Sequence, residues 1–122
     1  MLTMEDIMYR IQTSAARVII TDEANMGKVD AAQKALGDHP VAKQLKKVLV
    51  GPYMNYSLDS SWIHYDHLVK DISSAEADRF HDKDTDSSSY AQAFFTSGTT
   101  GKPKMVAHTQ ASYGIGHHIT AK

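Results

Sequence analysis

Apolar positions fall at helical spacing over residues 3–16, where Met4, Ile7, Met8, Ile11 and Ala15 share one face. Thr3 is placed to cap that helix. Glu5 and Asp6 lie in its first turn, where the helix dipole favours negative charge. The pattern then changes. RVIITD carries three consecutive β-branched residues, Val18, Ile19 and Ile20, which suit a strand buried on both faces, as in a parallel sheet. Thr21 or Asp22 can cap a second helix over residues 23–36, with Met26, Val29, Ala32 and Leu36 as its apolar stripe. Gly37 is placed to end it, and Pro40 to prevent its resumption. A second short strand follows at Val48, Leu49 and Val50, closed by Gly51 and Pro52.

The second half is less regular. Residues 53–61 read as a loop. Ser60 or Ser61 then caps a short helix, with Trp62, Tyr65, Leu68, Val69 and Ile72 on its apolar side. Residues 73–89 are almost wholly polar and read as an exposed loop with one helical turn near Glu76. A third strand is expected over residues 90–95, a short one over 105–108, and a final helix from Thr109 or Gln110, weakened by Gly114 and Gly116. Helices alternating with strands predict an α/β fold: a partial, mostly parallel sheet with flanking helices. The first helix has no strand before it, and the chain stops soon after a helix begins, which would leave sheet edges unpaired. The expectation is a piece of a larger domain.

Composition narrows the function classes. With 42% hydrophobic and 22% charged residues the chain is an ordinary globular sequence. A formal net charge of -1 provides no basic field for nucleic acid. The absence of cysteine excludes disulfides and thiolate metal sites. No apolar run approaches the ~20 residues of a membrane span.

The candidate chemistry lies at residues 96–104, TSGTTGKPK, directly after YAQAFF. Gly98 and Gly101 let the backbone adopt positive φ and turn N–H groups onto an anion. Ser97, Thr99 and Thr100 carry hydroxyl donors. Thr96 can donate as well or hold the entry of the loop. Lys102 and Lys104 add positive charge, and Pro103 fixes φ. Each hydrogen bond to a charged group is worth ~1.5–3 kcal/mol, so a few could hold a triphosphate tail. The spacing is not a Walker A loop, because five residues on from Gly98 is Pro103 and from Gly101 is Val106. No dinucleotide fingerprint occurs either. The plain alternative is a Gly/Thr turn between two strands.

FTSGTTGKPK resembles the phosphate-binding loop of the adenylate-forming enzymes: acyl-CoA synthetases, luciferases and peptide-synthetase adenylation domains. Met105 stands where most members have glycine. PKMVAHTQAS and MEDIMYRIQTSAARVIITDE are both similar to the medium-chain acyl-CoA synthetase branch. The resemblance covers nearly the whole chain, most loosely over 53–89. It implies that residues 1–122 are part of the large N-terminal domain, with the C-terminal domain and its catalytic lysine elsewhere. It implies that Thr96, Ser97, Gly98, Thr99, Thr100, Gly101, Lys102, Pro103 and Lys104 bind ATP phosphates, Lys104 being the main charge contact. It further implies a carboxylic acid substrate, Mg²⁺, coenzyme A, the remainder of the same polypeptide as partner, and a mitochondrial matrix location. No catalytic residue is identified in the chain, and the piece alone is expected to be inactive. Met105 argues against an aryl- or amino-acid activating enzyme. The reading from another class is a non-catalytic module that binds a nucleotide or a partner protein.

Other residues have simpler explanations. His64 and His67 sit three apart on an expected helix, and His117 and His118 are adjacent. A zinc site needs roughly four converging ligands, so no metal site is assigned. A histidine is common at the position of His108 in the resembled family, where packing that supports the loop is the expected role. Lys43, Lys46 and Lys47 read as a solvated face. Asp82, Asp84 and Asp86 have alternate spacing but lack the glycine and closing glutamate of a calcium loop.

Overall fold

The computed structural model describes residues 2–52, 61–80, 85–97 and 101–120. Residues 53–60 of the loop expected over 53–61, the Ser60 cap, and Asp82 and Asp84 lie outside these. The chain divides into two units, Met1–Ala77 and Asp78–Lys122.

The first unit runs α1 (Met4–Ser14), β1 (Val18–Thr21), α2 (Glu23–Leu36), α3 (Pro40–Gln44), β2 (Lys46–Leu49), β3 (Trp62–His64) and α4 (Tyr65–Lys70); α5 (Ser74–Arg79) follows. Its sheet is parallel, in the order β1-β2-β3. The α/β class with a parallel sheet and flanking helices is as the sequence predicts. All four residues of the α2 stripe are buried. Ile7, Ile11, Ala32, Leu36, Ala42 and Leu45 form one cluster. Met26, Val29, Leu49 and Trp62 form another, and Ile19 packs against both.

Several expectations are corrected in this unit. Val18 and Ile20 are 50% and 60% exposed, so β1 is not buried on both faces. Side chains alternate along a strand; Ile19 turns into the clusters under α1 and α2, and its neighbours turn away. Pro40 does not stop a helix but opens α3, as its first residue. The missing proline N–H is one a helix start does not need. Trp62 lies in a strand rather than a helix, because Trp62 and Ile63 suit a strand and pair with β2 at Lys47 and Val48. Lys47 is not on a solvated face: it is 5% exposed and its Nζ lies 2.6 Å from Asp30 Oδ1.

α1 begins with a reciprocal cap. The Asp6 N–H donates to Thr3 Oγ1 at 3.2 Å, and the Thr3 N–H donates to Asp6 Oδ2 at 2.9 Å. That backbone bond, and next the Thr3 hydroxyl, hold the Asp6 carboxyl below its ordinary value of 3.8. A depressed folded value means that the cap's contribution is complete above pH 3.8 and is lost as pH falls through the lower folded value. In an NMR titration the Asp6 midpoint should lie below 3.8 and move up in Thr3→Ala. Equal midpoints in the two proteins would remove the Thr3 hydroxyl from the account and leave the backbone bond as the cause.

The second unit holds β4 (Tyr90–Thr96), β5 (Lys104–Thr109) and α6 (Gln110–Thr120). β4 and β5 pair antiparallel, in a two-stranded sheet of their own among the described residues. The sequence placed these strands in a mostly parallel sheet. Residues 97–103 are too few for a parallel crossover, which takes about a dozen or more. α6 starts where expected. The Ser112 N–H donates to Thr109 Oγ1 at 3.2 Å, and the Thr109 N–H donates to Ser112 Oγ at 2.9 Å.

Candidate phosphate-binding site

The glycine-rich run connects β4 to β5. Thr96 pairs with Lys104 in the register that closes the hairpin. Thr96 Oγ1 also donates to the Lys104 carbonyl at 3.4 Å, a long bond. Of the two roles expected of Thr96, this bond fits the holding of the entry. Ser97, Lys102 and Lys104 are exposed, and Pro103 is half-buried. Gly101 has φ +91, the left-handed conformation expected of it, with nothing within 4 Å of where a Cβ would stand. Its backbone is exposed. Gly98, Thr99 and Thr100 lie outside the described residues.

Behind the hairpin the chain is anchored by an Asx-type turn. Asp86 Oδ1 accepts from the Ser88 hydroxyl at 2.7 Å, from the Ser88 N–H at 2.8 Å and from the Ser89 N–H at 2.9 Å. These bonds, the Ser88 hydroxyl first, lower the Asp86 carboxyl below its usual range. The Gln110 N–H then donates to the Ser89 carbonyl at 2.9 Å, which ties the start of α6 to the start of β4. The hairpin and its helix are thus fixed at the end away from the loop.

The histidines separate. His64 is buried at the end of β3, its Nε2 3.2 Å from the Gly51 carbonyl, and its ring lies 5.1 Å from that of His67. It is not on a helix face with His67, as the sequence predicts, but immediately before α4. Among the described residues no three His, Cys, Asp or Glu side chains converge on a metal position. His108 lies edge-on to Phe94 at 5.8 Å, a packing contact within the hairpin, and it pairs with Gln92, four residues along β5 from Lys104 at the loop. Phe94 and Tyr113, which line a cleft with His108 and His117, were not singled out in the sequence, and His117 was weighed there only beside His118. The signal for them was the period-2 face of β4 and the i, i+4 pair on α6, readable only once the hairpin register is known.

A model of the family described as "AMP-binding enzyme" matches residues 1–119. The chain belongs to the AMP-binding enzyme family. It is 34% identical over 124 residues to acyl-coenzyme A synthetase ACSM3, mitochondrial, of Mus musculus, covering 99% of this chain and 19% of that protein. It is 36% identical over 115 residues to acyl-coenzyme A synthetase ACSM5, mitochondrial, of the same species, covering 94% and 18%. Among solved structures, the luciferase-like enzyme from the nonluminescent Zophobas morio mealworm matches 92% of this chain and 23% of its own, with a TM-score of 0.69 and 21% identity. At that identity the likeness is one of fold. This AMP-binding chain thus spans about a fifth of the length of the curated relatives. No helix of its described residues is long and apolar enough to cross a membrane.

Proposed function

We propose that this chain is the phosphate-loop segment of an ATP-dependent acyl-CoA synthetase that activates a medium-chain fatty acid, or a related carboxylic acid, in the mitochondrial matrix. The observation that supports the proposal is the hairpin: antiparallel strands β4 and β5 flank the run TSGTTGKPK, and Gly101 has φ +91 with nothing within 4 Å of where a Cβ would stand. In this reading the substrate carboxylate attacks the α-phosphorus of ATP, forming the mixed anhydride and expelling pyrophosphate. The coenzyme A thiol then attacks the acyl carbon, and AMP leaves. Charge accumulates on the departing pyrophosphate. Backbone N–H groups at Gly98 and Gly101, hydroxyls at Ser97, Thr99 and Thr100, and the Lys104 ammonium would stabilise it. Mg²⁺ accompanies the ATP. The segment works with the remainder of its polypeptide, which supplies the adenine and ribose contacts and the catalytic lysine.

The test is acid-dependent pyrophosphate release. The full-length polypeptide should turn over with ATP and a medium-chain acid, and form the acyl-CoA when the thiol is added. The 122-residue chain by itself should show no turnover above blank and no micromolar ATP binding by calorimetry. A full-length protein that binds ATP but never releases pyrophosphate would point instead to a binding module.

A further inference from the structure

The face of the hairpin that bears Thr96 and Lys104 runs on into a cleft of about 250 Å³. Alternation along β4 puts Phe94 on the same face as Thr96, roughly 7 Å back along the strand. Cross-strand pairing puts Val106 and His108 on that face too. α6 forms the other wall through Ser112, Tyr113, Gly116 and His117, and the lining is mostly carbon. Its rings meet edge to face: Phe94 with His108 at 5.8 Å, and Tyr113 with His117 at 4.5 Å. The volume is below the ~300 Å³ at which pockets for drug-sized ligands begin. It suits a short alkyl chain or a single ring.

Gly116 is the unusual member. Glycine inside a helix is disfavoured, no positive φ requires it, and a Cβ there would meet nothing within 4 Å. The missing side chain leaves open space in the cleft wall. We propose that this cleft receives the apolar tail of the carboxylic acid substrate, and that Gly116 sets the length of tail it accepts. The inference rests on the acyl-CoA synthetase reading above. If the loop holds the outer phosphates, the acid's carboxylate must reach the adjoining α-phosphorus, so its tail lies close to the hairpin. The aromatic cleft on the loop-bearing face is the apolar wall available there among the described residues of this unit.

The experiment is a chain-length profile of the full-length polypeptide, as kcat/KM for pyrophosphate release with butyrate, hexanoate, octanoate and decanoate. Gly116→Leu should lower the octanoate-to-butyrate ratio about tenfold or more, the scale on which a hydrophobic pocket discriminates methylenes. The KM for ATP should stay unmoved. Gly114→Leu makes the same change on the same helix outside the cleft lining, and should keep the wild-type ratio. Gly116→Ala should shift the ratio in the same direction by less, and serves if the leucine variant does not fold. Unchanged profiles in folded Gly116 variants overturn the inference while leaving the synthetase reading intact. No pyrophosphate release by the wild type with any acid overturns both.

Discussion

Replacing Lys104 with alanine should slow acid-dependent pyrophosphate release by the full-length polypeptide about a hundredfold to a thousandfold, the usual cost of removing one preplaced donor from a developing anion. Lys104 opens β5 opposite Thr96, and its side chain is exposed. Its backbone carbonyl, which accepts from Thr96 Oγ1, is retained in the variant. Exposed substitutions of this kind change stability by roughly ±0.5 kcal/mol, so the hairpin should survive. The loss should fall on kcat more than on the KM for ATP, because the ammonium gains most as charge moves onto pyrophosphate. Lys104→Arg keeps the charge but changes the geometry, and should recover only part of the rate. A KM effect with kcat intact would make Lys104 a ground-state binding contact. No effect on either would transfer the charge contact to Lys102.

This outcome bears on what the sequence could and could not convey. The proposed phosphate loop stood out because its chemistry is local: glycines, hydroxyls and lysines in nine consecutive positions, bounded by strand-like runs. The helices α1 and α2 were legible for the same reason, since Thr3 and Asp22 cap them and their apolar stripes repeat within the segment. The errors occurred where a distant partner decides the matter. Trp62 and Ile63 look equally suited to a helix face until β2 lies beside them. Lys47 looks like its exposed neighbours Lys43 and Lys46 until α2 brings Asp30 to it. Val18 and Ile20 carry no mark of which face the helices will cover. The aromatic cleft was hidden in the same way, because Phe94 and His108 meet only through the register of the hairpin.

Asp30 shows how much such a distant contact contributes. On α2, its carboxylate accepts from Lys47 Nζ at 2.6 Å and from Trp62 Nε1 at 3.1 Å, so one side chain ties the helix to β2 and β3. Lys47 Nζ also lies 5.0 Å from the centre of the Trp62 ring, the geometry of a cation–π contact. The Lys47 side chain is 6% exposed and that of Asp30 44%. Asp30→Ala should therefore cost about 2–3 kcal/mol. That is less than the ~3–5 kcal/mol for breaking a fully buried pair, because water already reaches the carboxylate. Most of the cost is the ammonium left buried with its counter-charge gone, together with the indole N–H losing its acceptor. Lys47→Met should be much milder. The methionine fills similar space, and the carboxylate it leaves is half-exposed and still bonded to Trp62. Combining the two changes should recover part of the loss of Asp30→Ala, by removing the stranded charge. Trp62 is the only tryptophan of the chain, so its fluorescence during urea unfolding reports on this contact directly. Equal losses in Asp30→Ala and Lys47→Met would mean that the ion pair itself, and not the stranded lysine, carries the energy.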